Sequence, residues 1–157
     1  MSIDDRFHDL GLSLPQPMQT AKLPFELYRL DGQLLYLSGH VPTQADGTLT
    51  TTLGKVGAEV TAEAAYDAAR TVALGLFASI VQAVGSLDRV DAWLKVFGMV
   101  NAAPGFNAIP PVINGCSDLI LSVFGPQVGA HTRSAIGVAE LPFGVPVEIE
   151  AQVRVKL

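Results

Sequence analysis

Val147-Glu148-Ile149-Glu150-Ala151-Gln152-Val153-Arg154-Val155-Lys156 alternates apolar and polar side chains without a break. Successive side chains of a strand point to opposite faces, so this segment reads as a strand with one face in a core and the other turned away from it. A sheet built that way needs helices over its apolar face, and the chain supplies two. Residues Thr61 to Gly85 read as the clearest helix, with Thr61 as its cap, Glu63 at its positive end, an Ala-rich apolar stripe and Gly85 as its stop. A second helix opens at Pro110-Pro111, runs through Asn114, Asp118 and Leu121 to Phe124, and stops at Gly125. Between them, Arg89 to Asn101 reads as a strand with Trp93, Val96 and Val100 among its apolar members.

Residues 2 to 11 form a short helix in this reading, capped by Ser2, with Ile3, Phe7 and Leu10 on one face. Pro15 and Pro17 break the chain into an extended segment. Glu26 to Leu30 and Gln33 to Ser38 read as a hairpin around Asp31-Gly32. The Thr- and Gly-rich stretch from His40 to Gly57 reads as a long loop, a kind of segment that is usually functional in a compact domain. Arg133 to Leu141 and Val145 to Val155 read as a second hairpin around Pro142-Phe143-Gly144. The order α-β-β-α-β-α-β-β predicts one α+β domain over residues 1–157, a mixed sheet with two main helices on one face.

On the strand before the last, Ile136 and Val138 share one face, while Arg133, Ala135, Gly137 and Ala139 share the other. The second set is small apart from Arg133. It reads as a face away from the core, where another backbone or subunit approaches and an arginine stands in a shallow groove.

Composition narrows the function. Hydrophobic residues make up 49% of the chain, apolar enough for a small domain to suggest burial against copies of itself. The apolar stretch Val72 to Val84 is broken by Ser79 and Gln82 and reads as too short to span a bilayer. The acidic start Met1-Ser2-Ile3-Asp4-Asp5 lacks the pattern of a secretory signal, and one cysteine, Cys116, permits no internal disulfide. The cytoplasm is the expected compartment. A net charge of -5 with scattered basic residues argues against a nucleic-acid partner. His8, His40, His131 and Cys116 show no metal-ligand spacing.

The run Arg133-Ser134-Ala135-Ile136-Gly137-Val138-Ala139-Glu140-Leu141-Pro142-Phe143-Gly144-Val145-Pro146-Val147-Glu148-Ile149-Glu150 resembles, without a gap, the signature of the YjgF/RidA (reactive-intermediate deaminase) family. Leu35-Tyr36-Leu37-Ser38-Gly39-His40-Val41-Pro42 is similar to the family's Ser-Gly-Gln-hydrophobic-Pro strand end. Val112-Ile113-Asn114-Gly115-Cys116-Ser117-Asp118-Leu119 and His131-Thr132-Arg133-Ser134-Ala135 look like a divergent branch described as endoribonuclease or chorismate-mutase-like. The resemblance covers most of residues 24 to 157. It implies a chorismate-mutase-like fold, a homotrimer whose three sheets face inward, sites between subunits, and no metal or organic cofactor.

The activity it implies is hydrolysis of small 2-imino or enamino acids to 2-keto acids and ammonia. Arg133 matches the family arginine that grips the substrate carboxylate, a role suited to a planar guanidinium with two parallel donors. Glu148 matches the carboxylate that orders or deprotonates the attacking water. Exclusion of water would raise its pKa and a nearby arginine would lower it, a balance the residues alone leave open. Gly39 and Ala135 match positions around the imine, Ala135 standing where many members carry cysteine. Phe25 falls on a family tyrosine that borders the pocket from the neighbouring subunit, without its hydroxyl. Asn114 falls on the family asparagine near the site, Cys116 reads as a buried small residue on the second helix, and Phe143 as packing.

In a simple second hairpin Glu148 lies opposite Ala139, and Arg133 is then about 20 Å away along the sheet. The expectation that follows is that Arg133 of one subunit meets Glu148 of the next. Competing readings are the family's ribonuclease label, opposed by the acidic charge and the lack of base-stacking aromatic clusters, and a non-catalytic trimer that binds small carboxylates. Chorismate mutase is weaker still, because a dianionic substrate wants more cations than Arg133 supplies.

Overall fold

The computed structural model describes residues 1–18 and 22–156. Helix α1 (Ile3–Asp9) starts from a capping box in which Ser2 and Asp5 each accept the other's backbone N–H. Its Asp4 accepts from Ser86 Oγ at 2.6 Å and from the Leu87 amide at 3.1 Å, so the helix is pinned to the far end of the chain's central helix. Phe7 is buried edge-on against Phe77, whereas Leu10 lies beyond the helix and is exposed. Phe77, Trp93 and Phe124 complete this aromatic nucleus with ring centroids 5.2–5.9 Å apart in edge-to-face pairs.

Strands β1 (Tyr28–Asp31) and β2 (Leu34–His40) form the expected hairpin, but Asp31 pairs with Leu34, so the turn residues are Gly32-Gln33 rather than Asp31-Gly32. Gly32 takes a φ of +58°, the positive value that the first position of such a turn requires. Helix α2 (Ala62–Val84) begins at Thr61, whose hydroxyl accepts from the Ala64 amide, and ends at Gly85 with a φ of +89°. Its 23 residues are long and apolar enough to cross a membrane by those measures alone, yet the stripe from Ala65 to Ile80 is buried in the core. Strand β3 (Val90–Asn101) leads to α3 (Ile109–Val128), where the Gly125 backbone (φ +73°, ψ 171°) breaks the helix just before Pro126. The regular part of α3 therefore stops where the glycine predicts.

Strands β4 (Thr132–Val138) and β5 (Val147–Val155) follow. The sheet order is β1-β2-β5-β3-β4, with β4 parallel to β3 and every other pair antiparallel. With α2 and α3 over one face, the architecture is the expected α+β one with a mixed sheet.

The second hairpin is not formed. Helix α3 carries the chain back over the sheet, so β4 returns parallel to β3 at the edge. The link through Pro142–Gly144 then crosses the end of β3 and delivers β5 to its other side. Backbone bonds mark the crossing: the Asn101 amide donates to the Pro146 carbonyl and the Ala102 amide to the Val138 carbonyl. Phe143, at the tip of that link, is 76% exposed with a φ of +59°, so it does not pack as expected.

The faces of β4 are also the reverse of the sequence reading. Arg133 and Ala135 pair with Val96 and Gly98, which point toward the helices. The residues are small there because α3 lies close: a Cβ on Gly98 would lie 2.6 Å from Ile113, and one on Gly137 would lie 3.3 Å from Ile109. Ile136 instead stands on the uncovered face with Tyr36, Phe97, Met99 and Glu150.

Candidate functional site

Arg133 enters from β4 and lies half-buried against α3. Its Nη1 donates to Asn114 Oδ1 at 2.8 Å and to Ser117 Oγ at 3.1 Å, and Nη2 donates to the Pro110 carbonyl at 3.4 Å. All three acceptors are neutral. Among the described residues the ion pairs are Lys55–Glu140 and Arg154–Asp91, so no carboxylate neutralises Arg133. Asn114 and Ser117 are three residues apart on α3 and therefore share the face it presents to β4. Ala135, the next helix-facing position on β4, packs against the core beside Arg133.

Ser117 and His131 belong to this site although nothing in the residue types singled them out. His131 Nδ1 lies 2.7 Å from the Gly129 carbonyl and Nε2 lies 2.9 Å from Ser117 Oγ. A carbonyl only accepts, so Nδ1 carries a proton and, in the neutral ring, Nε2 accepts from the Ser117 hydroxyl. Burial is the largest influence on His131 and holds its pKa below the usual value of 6.5; the Arg133 charge acts the same way, and the Gly129 bond acts against it. The signal available in the sequence was position alone, since both residues sit in the runs that carry the family resemblance.

Glu148 lies elsewhere. It pairs through Met99 with Ile136 on the uncovered sheet face, half-buried, with its carboxylate against the backbone of Gly39. A Cβ on Gly39 would lie 2.1 Å from Glu148 Oε1, so only glycine lets the carboxylate rest there. Burial raises the Glu148 pKa above 4.5, and the negative charge of Glu150 adds to the rise. Within one chain burial thus sets the direction, and an arginine brought by a neighbouring subunit would act against it. Phe25, 53% exposed, precedes a segment whose Glu26 and Leu27 carbonyls accept from the Ser38 side chain and amide, next to Gly39.

Within one chain the candidate residues thus form two groups: Arg133, Asn114 and Ala135 on the helix side, and Glu148, Gly39 and the Phe25 segment at the end of β2. The strand register replaces the hairpin estimate. Arg133 and Glu148 are two strands and three residues apart, about 14 Å between Cα atoms at ordinary strand spacings, and their side chains leave opposite faces.

The sequence matches the family described as "YjgF/chorismate_mutase-like, putative endoribonuclease" over residues 4–145. The chain belongs to this YjgF family. It is similar to Protein TCP17 of Trypanosoma cruzi, with 42% identity over 145 residues that cover 92% of this chain and 89% of that protein. Among solved structures it is similar to Atu1372 of Agrobacterium tumefaciens, of unknown function (35% identity, TM-score 0.88, covering 98% and 92% of the two chains). It also resembles a "putative endoribonuclease" from Shewanella oneidensis (28% identity, TM-score 0.91, covering 99% and 100%).

Two other positions of interest in this YjgF-family chain are structural. Cys116 is buried on α3, and burial pushes its thiol up to about 12, which keeps it un-ionised and unreactive. His40, where the family pattern resembled here has glutamine, is buried with Nδ1 on the Ser38 carbonyl and Nε2 on Ser79 Oγ. Its burial lowers its pKa below 6.5. A histidine held neutral in the fold takes up a proton more readily once unfolded, so its contribution to stability is full above about pH 6.5 and is lost as the pH falls through the folded-state value. His40→Gln should therefore flatten the fall of the urea midpoint between pH 7 and 5. An unchanged slope would mean that burial leaves the His40 pKa at its unfolded value.

Proposed function

We propose that the protein hydrolyses small 2-imino or enamino acids to 2-keto acids and ammonia, in clefts formed where Arg133 of one subunit meets Glu148 of the next in a homotrimer. The observation that carries the reading is the Arg133 guanidinium, oriented by neutral acceptors and without a carboxylate partner among the described residues. A cation positioned in that way attracts an anionic ligand, and its planar fork matches a carboxylate. Support for a subunit seam comes from the uncovered sheet face, where Leu34, Tyr36 and Ile136 are each about 40% exposed beside Phe97 and Met99.

The chemistry follows from that arrangement. Arg133 holds the carboxylate and fixes the plane of the C=N bond. Glu148, with its raised pKa, takes a proton from water as the oxygen adds to the imine carbon. The same carboxyl group gives that proton to the imine nitrogen, which completes a carbinolamine; Glu148 then takes the hydroxyl proton and passes it to the amino nitrogen as the C–N bond breaks, so the carbonyl forms and ammonia leaves. Gly39 leaves room for the carboxylate and the water.

Glu148→Gln keeps the shape and removes the base. Turnover of 2-iminopropionate generated in situ should drop by about 100-fold or more, with affinity for pyruvate nearly unchanged. Loss of affinity in step with turnover would place Glu148 in binding rather than chemistry. A wild-type protein that binds keto acids on Arg133 and never turns over the imine would be a non-catalytic carboxylate binder. A ribonuclease reading accompanies the names of some relatives, but a net charge of -5 with scattered basic residues argues against it.

A further inference from the structure

Arg133 is held by a relay that the proposed chemistry does not use: the Gly129 carbonyl, the His131 ring, the Ser117 hydroxyl and then Arg133 Nη1. Nη1 has two hydrogens, and Asn114 and Ser117 take both. Nη2 gives one hydrogen to the Pro110 carbonyl at 3.4 Å, so Nε and the other Nη2 hydrogen remain as the fork for a carboxylate, with its aim set by these oxygens of α3. The Ser117 oxygen plays its part only if its own proton points away from Arg133, and an unprotonated His131 Nε2 accepts that proton.

We infer that His131 and Ser117 are a positioning pair that keeps the Arg133 fork aimed at a small carboxylate only while the His131 ring is neutral, so that acid weakens ligand binding. The inference rests on the reading of Arg133 as a carboxylate anchor. With a second proton on His131, two cationic donors converge on one hydroxyl oxygen. The contact distances of 2.9 and 3.1 Å place those two nitrogens no more than 6.0 Å apart. The Ser117 proton then has no partner in the relay, and Arg133, at the edge of the sheet, is the member free to swing away.

Among the described residues, the groups around His131 offer it no counter-charge. Arg133 on β4 disfavours the imidazolium, as burial does. On α3, Cys116 stays a neutral thiol and Asp118 accepts from the Tyr66 hydroxyl of α2. Lys95 on β3 pairs with Thr132 and stands on the uncovered face.

Calorimetric titration of the full-length protein with pyruvate, at pH 7.5 and 5, tests the pair. Wild-type affinity should fall about tenfold across that range, the scale of one hydrogen bond to a charged group. Ser117→Ala should bind about tenfold more weakly at pH 7.5 and then change little with pH, while Ser117→Thr, which restores the hydroxyl, should restore the slope. Any effect of Glu148 on binding is common to wild type and Ser117→Ala, so the difference in slope between them carries the result. If Arg133→Ala abolishes binding while Ser117→Ala keeps the wild-type slope, or if acid strengthens wild-type binding, the positioning pair is wrong and the anchor stands. If Arg133→Ala binds pyruvate like the wild type, the anchor itself is wrong. NMR of the His131 ring gives a check that needs no variant: an Nε2–H tautomer at pH 7.5 would reverse the direction of the Ser117 bond and overturn the inference.

Discussion

Arg133→Ala is expected to lower kcat/KM for 2-iminopropionate by roughly 1,000-fold, the scale of two charge-assisted hydrogen bonds lost together. The fold should survive. Arg133 is half-buried, pairs with no carboxylate among the described residues, and leaves behind two polar side chains and one carbonyl that water can reach in its place. The stability cost is then about 1 kcal/mol, visible as a small shift in Tm. Arg133→Lys should recover little, because an ammonium keeps the charge but not the fork. Unaltered steady-state kinetics in Arg133→Ala would remove the carboxylate anchor from the mechanism.

The second large effect concerns what holds the anchor in place. Gly115 lies on α3 between Asn114 and Ser117, where α2 and α3 touch. A Cβ there would lie 2.0 Å from the Tyr66 carbonyl oxygen and 3.2 Å from the Arg70 amide nitrogen. Both are backbone atoms of α2, so no rotamer change relieves the clash and the helices must part. Gly115→Ala should cost about 3 kcal/mol, as overpacking of a close-packed interior does, and lower Tm by roughly 10 °C. Pyruvate affinity should fall as well, since any shift of α3 moves both oxygens that aim Arg133. Gly75→Ala on α2 is the contrast. Its Cβ would meet His40 at an ordinary 3.7 Å, and the gain in helix propensity should stabilise the protein by up to ~1 kcal/mol. Equal effects of the two substitutions would mean that helix spacing does not matter at Gly115.

Local signals carried most of the elements. Thr61 and Gly85 bound α2, Ser2 caps α1 and Gly125 ends the regular part of α3, because capping is decided by a residue and its near neighbours. Strand partners are not decided that way. Leu141-Pro142-Phe143-Gly144 reads as a hairpin turn, yet the parallel return forced by α3 sends that segment across the end of β3. The same blindness to partners reversed the faces of β4. Gly137 and Ala135 are small to admit α3 of their own chain, which a pattern of small residues does not distinguish from the approach of another subunit.

The site divides along the same line. Arg133, Glu148, Gly39 and Asn114 are the candidates that the motif runs name, and the structure joins Arg133 to Asn114 and Glu148 to Gly39. Ser117 and His131 are not among them, because their part comes from a relay of hydrogen bonds that exists only once α3 lies over β4.

The account stands on Arg133 and Glu148 acting across a subunit boundary, and mixed oligomers test that most directly. Arg133→Ala and Glu148→Gln, each inactive alone, are unfolded together in equal amounts, refolded and assayed with 2-iminopropionate. Random assembly leaves an intact pair at roughly a quarter of the boundaries in a closed ring, so the mixture should recover about a quarter of wild-type turnover. A mixture that co-assembles and stays inactive would contradict the account.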